Sequence, residues 1–339
     1  MVSWLGIVFA GVLNGSFAVP MKTARVWKFE HVWGVFSLLA MFVIPWCGVL
    51  FAVPNWYSIL TAIPRSGLAG LIALGLIWGV GSLFYGLAVE LLGIALGFSI
   101  QLGLSIVIGA LIPFALVRGL AVRSPSDWAF LGGIALMVIG VIVCATAGKA
   151  SKKKETSTTA TAVTTETFDR VRFRKGIVIA VLGGLGSPLL NFGIQYGTSL
   201  LPRSAAGAVL GQWIAWAVFL SAASVSQAGW CFYRVVATRQ TALFRAEGSR
   251  HDAVLVVVMG IVWAVSVFLY GASATSLGLI GTSVGWPVFI GIIVITSNAW
   301  GVALGEWKLR PKGDLYQMID GSVVLIVAAF IIGWARATW

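Results

Sequence analysis

The sequence has few charged residues: Asp, Glu, Lys and Arg make up only 10% of its 339 residues, whereas hydrophobic residues make up 59%. Soluble proteins have about 25% charged residues, because charged and polar side chains cover the surface that faces water. The scarcity of charge therefore excludes an ordinary soluble globule. A surface that faces lipid tails needs no such cover, so the composition favours an integral membrane protein.

The residue types that hold metals or carry out enzyme chemistry are also scarce. The only histidines are His31 and His251, and neither has a cysteine or a pair of carboxylates at ligand spacing. The three cysteines are far apart and lie in or beside apolar segments, which favours membrane-buried thiols over disulfide bonds or a metal site. No glycine pair is followed by the lysine and hydroxyl of a phosphate-binding loop. We therefore expect no enzyme activity, no metal and no cofactor.

Ten uncharged, apolar runs follow one another along the chain, and each is long enough for a helix to cross the hydrocarbon core. The runs are continuous and lack the two-residue alternation of a membrane barrel, which predicts helices. The predicted fold class is an all-α integral membrane protein with ten transmembrane helices. The predicted spans lie near residues 2–20, 32–53, 67–89, 93–117, 128–147, 176–197, 205–233, 253–275, 279–303 and 317–335.

A polar stretch rich in Lys, Ser and Thr divides the ten runs into five and five. It predicts a flexible linker at residues 151–175, between a first five-helix repeat at 1–150 and a second at 176–339. Because five is odd, the second repeat must enter the membrane in the opposite orientation, as in transporters built from inverted repeats. Residues 77–93 and 262–278 favour this interpretation, since six of their 17 positions are identical at a constant offset of 185.

Basic residues gather on one side of the predicted spans. Of the 23 Lys and Arg residues, 18 fall on the side that holds the central linker and five on the other side. Positive residues concentrate in cytoplasmic loops, so the linker is predicted to be cytoplasmic and both termini external. This bias accounts for the net charge of +12 without a nucleic-acid partner.

Neutral amide and aromatic side chains inside the spans are the predicted substrate contacts, because polar groups at membrane depth often line substrate paths. Amides both donate and accept hydrogen bonds, and a ring face can cover the C–H face of a sugar. Packing within the helix bundle is the alternative for each residue. The first helix of each repeat also carries a proline, Pro20 or Pro188, and paired interruptions of this kind indicate a central site. The predicted contacts are Asn14, Trp78, Tyr85, Gln101, Asn191, Gln195, Gln212, Trp263, Tyr270, Trp286 and Asn298.

None of the 11 carboxylates lies deep in a predicted span. A carrier driven by protons usually exposes a titratable group to each side of the membrane in turn. Glu30, Glu90 and Asp320 lie at cytoplasmic ends of spans and are the candidates for proton coupling, with solvated helix-end charges as the alternative. Lys22 is either an anchor at the inner membrane surface or a contact of the substrate.

Five short motifs stand out along the chain: NGSFAVPMK at 14–22, WKFEHVW at 27–33, IPW at 44–46, WGVGSLFYG at 78–86 and GEW at 305–307. Together they resemble the L-rhamnose/proton symporter family of the drug/metabolite transporter superfamily, over most of the chain. The resemblance implies a ten-helix carrier of the inner membrane that alternates access around a central cavity and imports a deoxy sugar with protons. The motif positions that carry it are Lys22, Trp27, Glu30, Trp33, Trp78, Gly79, Tyr85, Gly86, Glu306 and Trp307.

The resulting prediction is a secondary active transporter that imports a small polyhydroxylated solute, L-rhamnose or a related sugar, by proton symport. The alternative is a drug/metabolite-type carrier of another solute, such as a nucleoside, a ureide or an amphipathic compound, with import and export both open. The expected partners are the solute, protons and the lipid bilayer. The sequence leaves the oligomeric state open.

Overall fold

The structure is a computed structural model that describes residues 2–92, 94–118, 122–147, 165–202, 211–305, 307–308 and 311–337. Within these ranges the chain forms helices and no strand, which confirms the predicted all-α class. The helices are α1 (Val2–Ser16), α2 (Phe29–Leu38), α3 (Ile44–Ala52), α4 (Trp56–Ala62), α5 (Arg65–Leu92), α6 (Ile94–Arg118), α7 (Pro125–Ala147), α8 (Thr165–Gly186), α9 (Leu189–Ser199), α10 (Gln212–Ala237), α11 (Ser249–Ser276), α12 (Gly278–Ala303) and α13 (Lys312–Ala337).

Nine segments of the described chain are long and apolar enough to cross a membrane, in agreement with an integral membrane fold. The predicted span at 93–117 falls on α6, where the described apolar helix, Ile100–Leu116, is shorter than the other nine. The helices α5 and α11, which carry the two similar sequence segments, have 28 residues each. The full count of ten spans and their inverted repeat remain predictions.

Two spans are interrupted at the prolines that the sequence analysis singled out. A 3₁₀ turn over Val19–Thr23, with Pro20 in its first turn, follows α1. Pro188 lies between the end of α8 and the start of α9. Proline has no N–H for the helical hydrogen bond and disfavours the α conformation in the residue before it, so a helix stops at both places.

Helix α8 begins earlier than the sequence analysis predicted. It starts at Thr165, so the last part of the predicted linker at 151–175 is helical, while 151–164 lie outside the described residues. The segment TETFDRVRFRK at 165–175 has neither glycine nor proline and is compatible with a helix. Hydropathy does not reveal this helix start because the segment is strongly charged.

The helices form two compact units. Unit 1 comprises Met1–Val80 and Leu189–Ser276, and unit 2 comprises Gly81–Pro188 and Leu277–Trp339. Each unit takes helices from both halves of the sequence. The division of the chain into repeats at 1–150 and 176–339 therefore does not coincide with the compact units, and the repeats themselves remain a prediction.

In unit 1, α1 and α11 run antiparallel and contact each other along their length. At one end the Ser276 hydroxyl donates to Ser3 Oγ at 2.8 Å. One turn further along, Gly6 faces the Ser273 side chain so closely that a side chain at Gly6 would collide with it. Small residues of this kind let two membrane helices approach, and van der Waals packing then stabilises the pair in lipid.

The carboxylate of Asp252, near the start of α11, holds the connection between α1 and α2. It is fully buried and accepts the backbone N–H groups of Arg25 at 2.9 Å, Val26 at 2.8 Å and Trp27 at 2.8 Å. His251 Nδ1 lies 3.1 Å from Asp252 Oδ1. Several N–H donors compensate the loss of water around a buried charge, and the helix N-terminus favours a negative group. The arrangement fixes the chain that follows the Val19–Thr23 turn.

In unit 2, α7 and α13 pack closely through glycines. A Cβ added at Gly140 would lie 2.8 Å from Leu325 Cδ2, and one added at Gly321 would lie 2.6 Å from Cys144 Sγ. Neither position has room for a side chain. This pair of helices is thus a tight packing element of unit 2.

Candidate functional site

A line of polar and aromatic side chains runs along one face of α11 in unit 1. Trp263, Ser266 and Tyr270 are separated by three and four residues, so they share one face over two helical turns. All three are buried. Each contacts a different helix of the unit, and the contacting residues are Trp78 of α5, Asn14 of α1 and Asn191 of α9.

Trp78 and Trp263, which occupy equivalent positions in the two similar sequence segments, stack on each other. Their ring centroids are 6.3 Å apart at an interplanar angle of 29°. Phe219 of α10 lies 5.9 Å from Trp78, and Phe36 of α2 packs edge-on against Trp263 at 5.7 Å. The site therefore has an aromatic layer to which four helices contribute.

Next to this layer, Asn14 enters a short chain of hydrogen bonds. Its Nδ2 donates to Ser266 Oγ at 3.1 Å, and the Ser266 hydroxyl donates to the carbonyl of Ala10 at 2.8 Å. The sequence analysis missed Ser266, because a serine in a membrane helix usually bonds a carbonyl of its own helix. Its position three residues after Trp263, within the similar segment, is the signal that could have identified it.

One turn further along α11, two neighbouring residues contact α9 and α10. The Tyr270 hydroxyl donates to Asn191 Oδ1 at 2.9 Å, and Trp216 of α10 packs against the neighbouring Gly271. Gln212 precedes Trp216 by one turn on the same helix and is also buried. Three atoms of this group have no hydrogen-bond partner among the described residues: Asn191 Nδ2, Gln212 Oε1 and Trp216 Nε1. Gln195, one turn after Asn191, is half-buried.

The candidate proton group Glu30 lies at one end of unit 1, beside Arg234. Its Oε1 is 3.9 Å from Arg234 Nε, and the two side chains are 24% and 47% exposed. One turn along α2, Gly34 lies so close to Cys231 that a Cβ there would be 3.1 Å from the Cys231 Cβ. This close approach of α2 and α10 places the carboxylate beside the guanidinium. Lys22, on the Val19–Thr23 turn, is exposed.

Behind this ion pair, buried polar groups continue along the contact between α2 and α10. Ser37 Oγ lies 2.6 Å from Gln227 Oε1, and the Ser224 hydroxyl donates to the carbonyl of Ser37 at 3.2 Å. The side chains of all three residues are buried. Buried polar groups of this kind fix the register of two helices, because a shifted register would leave them without partners.

Two predicted contacts in unit 2 lie at a face of α6: Gln101 is on this helix, and Trp286 of α12 bonds to it. Gln101, Ser105 and Gly109 are each four residues apart. Gln101 Nε2 donates to the carbonyl of Phe84 at 3.1 Å, and Trp286 Nε1 donates to the Ser105 carbonyl at 3.1 Å. Gly109 leaves the space that the Trp286 ring fills. Most polar groups here are thus paired within the unit, although Gln101 Oε1 has no partner among the described residues.

No described contact places the remaining predicted residues on the α11 face of unit 1 or on the α6 face of unit 2. Asn298 is half-buried on α12, and Asp320 is exposed on α13. The side chains of Tyr85 and Glu90 lie outside the described part of the structure. Among the described residues, no group of three or more His, Cys, Asp or Glu side chains could hold a metal ion.

The chain matches the model of a protein family described as L-rhamnose-proton symport protein (RhaT) over residues 2–338. It belongs to this family. Two relatives, the L-rhamnose-proton symporters of Escherichia coli O1:K1 / APEC and of Escherichia coli strain SMS-3-5 / SECEC, are each 24% identical to it over 333 residues. Each alignment covers 95% of this chain and 94% of the relative. The resemblance predicted from the motifs is confirmed.

Membership of the L-rhamnose-proton symport family places the chain among transporters and not among enzymes. The family match agrees with the nine apolar helices of the described residues, so the protein is a multi-pass membrane protein. Because the match extends from the first helix to the last, it includes both the α11 face of unit 1 and the α6 face of unit 2.

Proposed function

We propose that the protein imports L-rhamnose or a closely related deoxy sugar across the inner membrane together with protons. Membership of the symporter family over residues 2–338 carries the proposal. The side chains along the α11 face support it, because they are neutral amides, hydroxyls and aromatic rings. A neutral sugar needs donors, acceptors and an apolar surface, whereas an ionic solute would need a charge of opposite sign.

Each layer of the α11 face has a role in this proposal. The stacked Trp78 and Trp263 rings cover the C–H face and methyl group of the sugar. Asn14 and Asn191 contact hydroxyls, and Tyr270 holds Asn191 in place through its 2.9 Å hydrogen bond. Gln195 and Gln212 of unit 1 add to this set. The predicted contacts that belong to unit 2 stay proposed substrate contacts, and they are Tyr85, Gln101, Trp286 and Asn298.

Among the three candidate carboxylates, Glu30 is the one that we propose carries the coupled proton. It is partly shielded from solvent and lies at the end of the polar contact between α2 and α10. Asp320 is exposed, as a helix-end charge in water would be. Protonation neutralises the Glu30 carboxylate and removes its attraction for Arg234, so proton binding can change how the two helices are held together.

The orientation of the chain follows from its charge bias. With 18 of the 23 Lys and Arg residues on the linker side, we propose that the linker faces the cytoplasm and that both termini are external. Glu30 then lies near the cytoplasmic surface. This position is appropriate for a group that releases its proton into the cytoplasm during import.

Uptake into liposomes tests the proposal. Purified protein reconstituted in liposomes should accumulate labelled L-rhamnose when the exterior is more acidic than the interior, and a protonophore should abolish the accumulation. Uptake that does not depend on the proton gradient would contradict proton coupling. No uptake of rhamnose or of any competing sugar would remove the substrate class and favour another solute, such as a nucleoside or an amphipathic compound.

A variant of Glu30 tests the proton step separately. Glu30→Gln should lose gradient-driven accumulation while it still exchanges internal for external rhamnose at equal concentrations. That exchange needs alternating access but no net proton movement. Asp320→Asn is the matched control, because it removes an exposed carboxylate. If Glu30→Gln still accumulates rhamnose against its gradient, another group carries the proton.

A further inference from the structure

We infer that Trp216 determines sugar specificity, and that its indole N–H forms a hydroxyl-binding subsite with the amides of Asn191 and Gln212. The inference rests on the proposed function, because it assigns the class of ligand to the same face of unit 1. Neither the sequence analysis nor the family match singles out Trp216. The unpaired polar atoms of the three side chains carry the inference.

The first step is the unpaired indole of Trp216. The residue is 2% exposed, and its Nε1 has no hydrogen-bond partner among the described residues. Two other tryptophans have acceptors: Trp46 Nε1 donates to Ser221 Oγ at 2.8 Å, and Trp286 Nε1 donates to Ser105, whereas Trp27 Nε1 also has no partner among the described residues. A buried indole N–H normally has an acceptor, because leaving it unpaired away from water costs free energy.

The second step is the fixed position of this group. A Cβ added at Gly271 would lie 3.0 Å from Trp216 Cε2, the ring atom bonded to Nε1, and 3.3 Å from Ile194 Cγ2. The glycine and Ile194 therefore hold the indole edge next to the turn of α11 that carries Tyr270. Tyr270 in turn holds Asn191 Oδ1, which leaves Asn191 Nδ2 as a second unpaired donor in the same layer.

The third step is the acceptor. Gln212 lies one turn before Trp216 on α10, so both side chains share a face of that helix. Gln212 is buried, and its Oε1 has no partner among the described residues. Together with Trp216 and Asn191 it completes a set of two donors and one acceptor.

This set matches the chemistry of neighbouring hydroxyl groups. A hydroxyl donates one hydrogen bond and accepts others, so two hydroxyls can satisfy both donors and the acceptor at once. A carboxylate would leave Gln212 Oε1 without a donor, and an ammonium group would leave both N–H groups without an acceptor. The ligand class is therefore a neutral polyhydroxylated compound, with the subsite distinguishing hydroxyl positions while the Trp78–Trp263 layer covers the apolar face.

Conservative variants test the subsite in the full-length protein. Trp216→Phe keeps an aromatic ring but removes the indole N–H together with part of the ring volume; the matched control, which makes the same change elsewhere, is Trp213→Phe, at a residue whose ring stacks on Phe268 with centroids 4.0 Å apart. For Trp216→Phe we expect the KM of rhamnose uptake to rise about five-fold, as for loss of one neutral hydrogen bond. The maximal rate should stay close to wild type, and the thermal unfolding temperature should fall only by what the smaller ring costs in packing, because no hydrogen bond within the described protein is lost.

A panel of mono-deoxy rhamnose analogues identifies the hydroxyl. The analogue that lacks the group bound by Trp216 should show the same KM with wild type and with Trp216→Phe, whereas the other analogues should show the five-fold rise. Equal KM values for wild type, Trp216→Phe and Trp213→Phe with rhamnose would overturn the subsite. They would indicate that bound water, and not sugar, pairs with the three polar atoms. A lower unfolding temperature with an unchanged KM would also overturn the subsite, because it would show a structural role.

Failure of the subsite and failure of the proposed function give different results. If the wild-type protein takes up no sugar, the proposed function is rejected. If wild-type uptake is normal and Trp216→Phe behaves as wild type, only the subsite is rejected. Should Trp216→Phe not fold, Gln212→Leu removes the acceptor instead, and an unchanged KM for that variant would equally overturn the inference.

Discussion

Two tryptophans, Trp216 in unit 1 and Trp286 in unit 2, are equally buried at 2% exposure but differ in their hydrogen bonding. Trp286 donates to the Ser105 carbonyl at 3.1 Å, whereas Trp216 Nε1 has no acceptor in the described chain. The same side chain at the same burial thus has a paired indole N–H in one unit and an unpaired one in the other. Burial alone does not separate a binding residue from a core residue, so we base the proposed subsite on the pairing of polar atoms as well.

The contrast predicts opposite results for paired and unpaired polar groups. Removal of a paired group should lower stability, because its buried partner loses a hydrogen bond. Removal of an unpaired group should lower sugar affinity, and it should affect stability only through the packing that is lost, because no hydrogen bond within the protein is broken.

The largest effect is expected at Asp252, the most extensively paired buried side chain described above. Asp252→Ala leaves the N–H groups of Arg25, Val26 and Trp27 without their acceptor, and should lower the free energy of unfolding by about 3 kcal/mol or more. Asp252→Asn should lose less, because one amide oxygen still accepts. Thermal unfolding of the purified variants measures both, and a loss below about 1 kcal/mol for the alanine variant would contradict the role of this carboxylate.

The second effect compares the two tryptophans directly. Trp286→Phe removes the donor to Ser105 and should lower the free energy of unfolding by about 1–2 kcal/mol. Both variants lose the packing of the larger ring, but Trp216→Phe should lose about 1 kcal/mol less than Trp286→Phe, because it breaks no hydrogen bond in the described protein. Equal losses of stability for the two variants would remove the distinction between them.

A smaller effect is expected at Ser266, which is paired but also lies beside the proposed sugar contacts. Ser266→Ala removes the acceptor of Asn14 Nδ2 and should lower stability by about 1 kcal/mol. It should also raise the KM of uptake about three-fold, because Asn14 is then less well positioned. Ser276→Ala, at the C-terminal end of α11, should leave the KM of uptake unchanged. Equal KM values for the two serine variants would place Asn14 outside the site.

The smallest effect is expected for Asp320, a predicted residue that lies on neither the α11 face nor the α6 face. Asp320→Asn should leave the free energy of unfolding within about 0.5 kcal/mol of wild type, because the side chain is exposed. Gradient-driven uptake by this variant should equal that of wild type. A large loss of uptake would move the proton site from Glu30 in unit 1 to α13 in unit 2.

Local features of the sequence predicted much of the fold. Apolar runs identified the helices, and Pro20 and Pro188 marked the two interruptions, because hydropathy and proline act on their immediate neighbours. The similar sequence segments pointed to Trp78 and Trp263 together before the structure showed them stacked. The helix start at Thr165 was missed, since its charged residues conceal a helix from a hydropathy pattern.

Features that depend on distant partners could not be predicted. In the sequence Asp252 cannot be told from an ordinary charged loop residue, because its backbone partner Trp27 is 225 residues away. Ser266 and Trp216 are ordinary residues of apolar helices until the neighbouring helices show which of their polar atoms are paired. The sequence thus pointed to candidate residue types for a site, whereas the pairing of those residues is a property of the packed helices.

The most direct measurement is the binding of L-rhamnose to the purified protein by isothermal titration calorimetry, for wild type, Trp216→Phe and Trp213→Phe. If the unpaired polar atoms of α9 and α10 bind the sugar, Trp216→Phe should raise the Kd about five-fold while Trp213→Phe leaves it unchanged. The same Kd for all three proteins would contradict the assignment of the sugar site to this face of unit 1.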